Sequence, residues 1–245
     1  MNKDITVIIP ICAMPSNPSS EVLDTTLTSI RERLPTAEII LMFDGVSDTL
    51  MHLKTKYDEF TQQLLWRINN EMTNVTPLVF DRHMHQSLMT KEALKIVRTP
   101  LVLWSEQDTY LVGEIPFAEL SEVVLTGYAN SIRFHHEAQI PESHEHLMLD
   151  PEPITILGQP LIRTRQWAGR PSIISTQFFR DIADKYWDDQ PRFIEHIMYG
   201  IVAEGGDNYE EFRSHIYAPL GGTYVRHKHM DGRRYGADHY DPNPS

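Results

Sequence analysis

A single cysteine, Cys12, stands in a chain of 245 residues, so no internal disulfide is available and nothing asks for an oxidising compartment. Basic residues are also short. The formal charge of -12 argues against broad nucleic-acid binding, because that mode neutralises phosphates with surplus Lys and Arg. No stretch reaches the ~20 apolar residues that cross a bilayer. The apolar run near the start, Ile5 to Ala13, is broken by Pro10 and lacks the h-region and cleavage site of a signal peptide. These absences point to a cytoplasmic protein without a transmembrane segment, and the length suits one α/β unit with a sizeable core.

Four apolar runs of strand length lie in the first half: Ile5 to Ile11, Ala37 to Phe43, Thr76 to Phe80 and Pro100 to Trp104. Their near-continuous hydrophobicity suits strands covered on both faces. Between them, Ser20 to Leu34, Thr49 to Arg67 and Ser87 to Arg98 read as helices. In the first, Val22, Leu23, Leu27, Ile30 and Leu34 recur at helical spacing behind Ser20 as a cap. This alternation predicts a doubly wound parallel sheet, with ligands held beyond the carboxyl ends of its strands. Further on, Glu114 to Tyr128 reads as a helix leading to a strand at Ala129 to His135, then a polar loop from Glu137 to Gln159. Amphipathic segments follow at Thr176 to Tyr186 and Pro191 to Ala203. The last forty or so residues show no clear period and read as an ordered tail or lid.

The residues just after the strands carry the chemistry. Asp44 and Gly45 follow the second strand; an acid there is placed to accept hydrogen bonds from a base or ribose, and a structural turn explains Asp-Gly as well. After the fourth comes Trp104-Ser105-Glu106-Gln107-Asp108. If the chain stays extended, Glu106 and Asp108 point the same way, toward one cation or its bound water. Oxygen ligands of that kind suit Mn²⁺ or Mg²⁺, which neutralise a diphosphate.

This order of elements resembles the family 2 glycosyltransferases and their GT-A relatives. ITVIIPI is similar to that family's opening strand, IILMFDGVSD to its strand ending in Asp-Asp-Gly-Ser, and LVLWSEQD to the strand ending in Asp-x-Asp. His85 to Ala93 stands where the family has a Gly-x-Ser-x-Ala-x-Asn loop and helix, without its Gly and Asn. The resemblance implies a Rossmann-like, mostly parallel central sheet flanked by helices, with a C-terminal tail or lid. It also implies a UDP- or GDP-sugar donor and a glycan or small-molecule acceptor. Pro10 and Asp44 would belong to the donor site, and Glu106 and Asp108 would hold the metal and the donor. Tyr186 to Asp189 followed by Phe193-Ile194-Glu195-His196 resembles the acceptor-side segment that supplies the general base of an inverting transfer. Glu195 is the first choice for that base, with His196 or Asp189 as substitutes. The whole chain would be one domain: residues 1–112 for the donor, 113–205 for the acceptor, and 206–245 closing on the donor.

The tail carries Arg226-His227-Lys228-His229-Met230-Asp231-Gly232-Arg233-Arg234, a basic segment in an acidic protein. By the same resemblance His229 or His227 adds a metal ligand, and Arg233 and Arg234 pair with phosphate oxygens. Two rival readings remain. His227, His229 and Asp231 match the start of a dinuclear metallohydrolase motif, which Gly232 then breaks. The Glu106 and His196 departures from the family pattern also suit a silent nucleotide-sugar-binding module.

Overall fold

The first two strands are buried on both faces because each feeds two cores. In the computed structural model, which describes residues 4–135, 140–150, 152–204, 209–218 and 223–227, β1 (Ile5–Ile11) is buried throughout. Its Val7, Ile9 and Ile11 join one apolar cluster and Ile8 the opposite one. β2 (Glu38–Phe43) alternates likewise, with Ile39, Leu41 and Phe43 on one side and Ile40 and Met42 on the other. A period-two side-chain alternation with both faces covered therefore gives an unbroken apolar run.

Helices α1 (Glu21–Arg33), α2 (Lys54–Asn70) and α4 (Phe117–Leu125) cover the first face through Leu23, Phe60 and Leu120. A 3₁₀ turn at Asp48–Leu53 leads into α2, where the sequence suggested one continuous helix. Ser20 precedes α1, but its hydroxyl donates to Asp24 Oδ2 at 2.6 Å and makes no cap bond to the helix amides. The second face is covered by α3 (His85–Ile96), α6 (Thr176–Tyr186), α7 (Ile194–Glu204) and the short α8 (Tyr209–Phe212), through Met89, Phe179, Met198 and Phe212.

With β3 (Val75–Val79), β4 (Leu101–Trp104), β6 (Ser131–Phe134), β7 (Ile154–Ile156), β8 (Gln159–Arg163), β9 (Ser172–Ser175) and β10 (Ser214–Tyr217), the nine-stranded sheet has the order β3-β2-β1-β4-β9-β6-β10-β8-β7. β3, β2, β1 and β4 are mutually parallel, as are β6 and β10; β9 and β8 run against their neighbours. The chain leaves β1 toward β2 on one side and returns to β4 on the other, so the crevice expected of such sheets opens at the carboxyl ends of β1 and β4.

The second half of the sheet departs from the sequence reading. The stretch read as a polar loop contains the short α5 (Glu142–Glu145) and β7, the first strand of the hairpin β7–β8. That hairpin turns through Leu157 and Gly158, both at positive φ, the geometry of a two-residue hairpin loop. In the stretch read as a tail, β10 is a fully buried strand between β6 and β8. β11 (Val225–His227) pairs with β5 (Thr109–Leu111) in a separate two-stranded ribbon.

Candidate active site

Glu106 and Asp108 follow β4, but the chain does not stay extended there as the motif reading supposed. It turns at Gln107 and Asp108, with the Thr109 N–H facing the Glu106 carbonyl at 3.4 Å. The turn is clamped from both sides. Gln107 Nε2 donates to Cys12 Sγ at 3.0 Å, the Cys12 N–H donates to Gln107 Oε1 at 3.3 Å, and Thr26 Oγ1 donates to the Gln107 carbonyl at 2.9 Å. Gln107 thus ties the end of β4 to the end of β1, and the acids on either side of it face each other electrostatically. Burial pushes the Glu106 carboxyl up, the nearby Asp108 and Glu195 push it further, and Gln86 and Arg170 pull it down.

Glu195 sits in the first turn of α7, exposed, with Oε2 accepting the Gly169 N–H at 2.8 Å. Gly169 is the point where the two glutamates meet. A Cβ on it would lie 3.2 Å from Glu195 Oε2 and 3.4 Å from Glu106 Oε1. Gln86 forms a second link: Nε2 donates to Glu106 Oε1 at 3.0 Å, and Oε1 faces the Ile194 N–H at the start of α7 at 3.4 Å. The metal-motif acid and the acceptor-side acid are therefore brought together through Gly169 and Gln86. Neither linking residue was singled out in the sequence. Gln86 stood in the quoted segment from His85 to Ala93, and a buried amide opening a helix was the signal available.

Asp44 is 4% exposed, and its carboxylate accepts the Met84 N–H at 2.5 Å and the His85 N–H at 3.1 Å, with His83 Nδ1 2.8 Å away. Burial raises its pKa, against the lowering effect of these donors. It anchors the loop after β3 to the end of β2. Gly45 shares that junction: a Cβ there would lie 2.2 Å from the Arg82 carbonyl carbon, so only glycine permits the approach. Pro10 is buried in β1, opposite Met42; the β4 ladder has already ended at the Ile8 and Trp104 pair, so no bond on that side is lost to the missing N–H.

His196 is exposed one residue beyond Glu195, its ring 5.0 Å from that of Phe193, which in turn lies 4.0 Å from His85. Burial first, and then His83 and His196, lower the His85 pKa to about 4. Asp189 lies exposed in the turn between α6 and α7. Among the candidate bases, Glu195 is the one joined to the Glu106 cluster.

The register of β11 sets the His227 backbone opposite Thr109, the residue after Asp108. The His227 side chain, and the whole of His229, Asp231, Arg233 and Arg234, lie outside the described residues. Among the described residues, no three His, Cys, Asp or Glu side chains converge on a metal position. Glu106 and Asp108 do fit a hard divalent cation that takes one or two carboxylates and completes its shell from phosphates and water. No helix among the described residues is long and apolar enough to cross a membrane.

No family model matches the sequence, and no curated protein matches it. Solved structures do match. S. aureus TarS 1-349 in complex with UDP-GlcNAc is similar over 95% of this chain and 62% of that one, at 14% identity and a TM-score of 0.57. The mannosyltransferase PcManGT from Pyrobaculum calidifontis, in complex with GDP-Man and Mn²⁺, is similar over 94% of this chain and 58% of that one, at 10% identity and a TM-score of 0.56. GalNAc-T7 with UDP, GalNAc and Mn²⁺ is similar over 98% of this chain and 45% of that one, at 13% identity and a TM-score of 0.55. The chain spans less than two thirds of the length of each. At such identities the likeness establishes the fold, and the fold is that of the GT-A nucleotide-sugar glycosyltransferases.

Proposed function

We propose that this chain transfers a sugar from a UDP- or GDP-sugar to a hydroxyl of a glycan or small-molecule acceptor, with inversion at the anomeric carbon. The observation that carries the reading is the convergence of Glu195 and Glu106 on Gly169, at the carboxyl end of β4 in a GT-A sheet. A general base and a donor-side carboxylate need that proximity, whereas two acids in a packed core do not. The neighbours crystallised with UDP-GlcNAc, GDP-Man or UDP add support for the donor class.

Glu106 and Asp108 would hold a Mn²⁺ or Mg²⁺ ion, which when bound supplies charge neutralisation to the donor diphosphate. Two neighbours carry Mn²⁺ in their crystals. His227 and His229 are the proposed further ligands, and Arg233 and Arg234 the proposed partners of the diphosphate. Pro10 and Asp44 shape the donor side, Asp44 by fixing the loop of Met84 and His85.

In the transfer, Glu195 takes the proton of the acceptor hydroxyl while that oxygen bonds to the anomeric carbon. The bond from the anomeric carbon to the diphosphate oxygen breaks, and the nucleoside diphosphate leaves with the electron pair. The Gly169 N–H on Oε2 orients the carboxylate and leaves Oε1 for the proton. His196 and Asp189 remain as substitute bases; they lack this orienting contact.

The test is release of nucleoside diphosphate from a panel of UDP- and GDP-sugars with Mn²⁺. Release that falls by about 10²-fold or more in Glu195→Gln supports the assignment, in line with the weight of a positioned general base. Release of nucleoside monophosphate and sugar phosphate would instead indicate a hydrolase, and silence with every donor a binding module.

A further inference from the structure

A small cavity adjoins the paired glutamates on the α3, α6 and α7 side of the sheet. Its floor is two cross-strand rows, Trp104–Ser172–Arg133 and Ile174–Ser131–Ser214, each in register on neighbouring strands and so facing the same way. Three serines where a packed face would carry larger apolar groups leave a hollow, which Phe179, Ile194 and Trp167 roof over. Its volume is about 30 Å³. One water needs ~10–15 Å³, so the space suits two or so waters or one compact polar group.

The lining is rich in hydrogen-bond donors. Trp104 is 4% exposed, and its indole Nε1 is buried with no hydrogen-bond partner among the described residues. An orphaned indole N–H costs free energy until an acceptor oxygen meets it. Arg133 and Arg170 bring two guanidinium groups, the first donating to Gln166 Oε1 at 2.7 Å. None of the described residues that line the cavity is acidic. Its lining includes Gly169 and Ile194, whose N–H groups donate to Glu195 and Gln86.

We propose that this cavity is an acceptor subsite that takes a compact oxyanion, the carboxylate or phosphate of an acidic sugar acceptor, with Trp104 Nε1 as one donor to it. Resting on the transferase reading, it narrows the acceptor to an anionic one whose hydroxyl is delivered to Glu195 by the anchored charge.

The test is calorimetric titration of the full chain with glucuronate, glucose 6-phosphate and glucose, on the wild type and on Trp104→Phe, which removes the N–H and keeps an aromatic side chain. At least one acidic sugar is expected to bind roughly tenfold or more tighter than glucose, and Trp104→Phe to weaken it by roughly tenfold, the scale of a hydrogen bond to a charged group. The better acidic ligand tells carboxylate from phosphate. UDP with Mn²⁺ is expected not to displace it. Equal binding of all three sugars by the wild type, an unaltered affinity in a folded Trp104→Phe, or displacement by UDP would each overturn the subsite. Donor turnover is read separately: its absence would remove the transferase reading while leaving an oxyanion site in place.

Discussion

The side-chain amide of Gln86 donates to Glu106 Oε1 at 3.0 Å, while its own oxygen faces the first amide of α7. One side chain on α3 thus sets both the motif after β4 and the helix that carries Glu195. Gln86→Ala removes both links and leaves a buried amide short of a partner. The expected result is a stability loss of about 1–3 kcal/mol by denaturant titration, together with lower turnover. An unaltered midpoint and unaltered turnover would show that Gln86 fills space only.

Gly169 matters for what it lacks. In Gly169→Ala the new methyl lies 3.2 Å from Glu195 Oε2, so that carboxylate must give way by a few tenths of an ångström, while Glu106 Oε1 at 3.4 Å stays in ordinary contact. Turnover is expected to fall by roughly tenfold, a small displacement of reacting groups being enough for that, while the melting temperature changes little. A variant as active as the wild type would mean that Glu195 does not act from this position.

Glu106 gives the site its pH dependence. Burial first, and then Asp108, push its carboxyl from 4.5 to about 8. The folded state therefore holds a proton that the unfolded state has lost, and stability of the metal-free protein falls as pH rises from about 4.5 to about 8. A bound Mn²⁺ would compete with that proton, so metal affinity should climb through the same window and level off above about 8. Melting curves across that pH range, with and without Mn²⁺, check both slopes, and Glu106→Gln should flatten them. A Mn²⁺ affinity independent of pH would remove Glu106 from the ligand set.

Asp44 separates anchoring from donor contact. Its oxygens serve the Met84 and His85 amides, so Asp44→Ala should cost about 1–3 kcal/mol of stability by thermal or denaturant unfolding. A stable variant with weakened UDP or GDP binding would instead give Asp44 a direct contact with the nucleotide.

The first half of the chain was legible in the sequence because its strands are near-continuous apolar runs separated by helices. β1 coincides with the apolar run from Ile5 to Ile11 and, further along, α6 with the segment from Thr176 to Tyr186. Part of the second half was hidden by strands rich in polar residues. β9 offers only Ile173 and Ile174 between serines, and β10 is Ser-His-Ile-Tyr, whose polar members are buried through hydrogen bonds such as that between Ser131 and Ser214. Local hydrophobicity cannot announce a strand that is satisfied by distant partners. The site followed the same division. Glu106, Asp108 and Glu195 stood out as acids beside apolar segments, whereas Gly169 and Gln86 matter only for what they touch across the fold. The ring contacts of Phe193 with His85 and His196, likewise, join residues more than a hundred positions apart as well as near neighbours.

The most direct measurement is a crystal structure of the full chain soaked with UDP or GDP and Mn²⁺. The account predicts a cation bound by oxygens of both Glu106 and Asp108, bridging to the nucleotide's diphosphate in the crevice beyond β1 and β4, with Glu195 facing the space where the sugar would stand. A nucleotide bound elsewhere on the protein, or a cation that touches neither carboxylate, would contradict it.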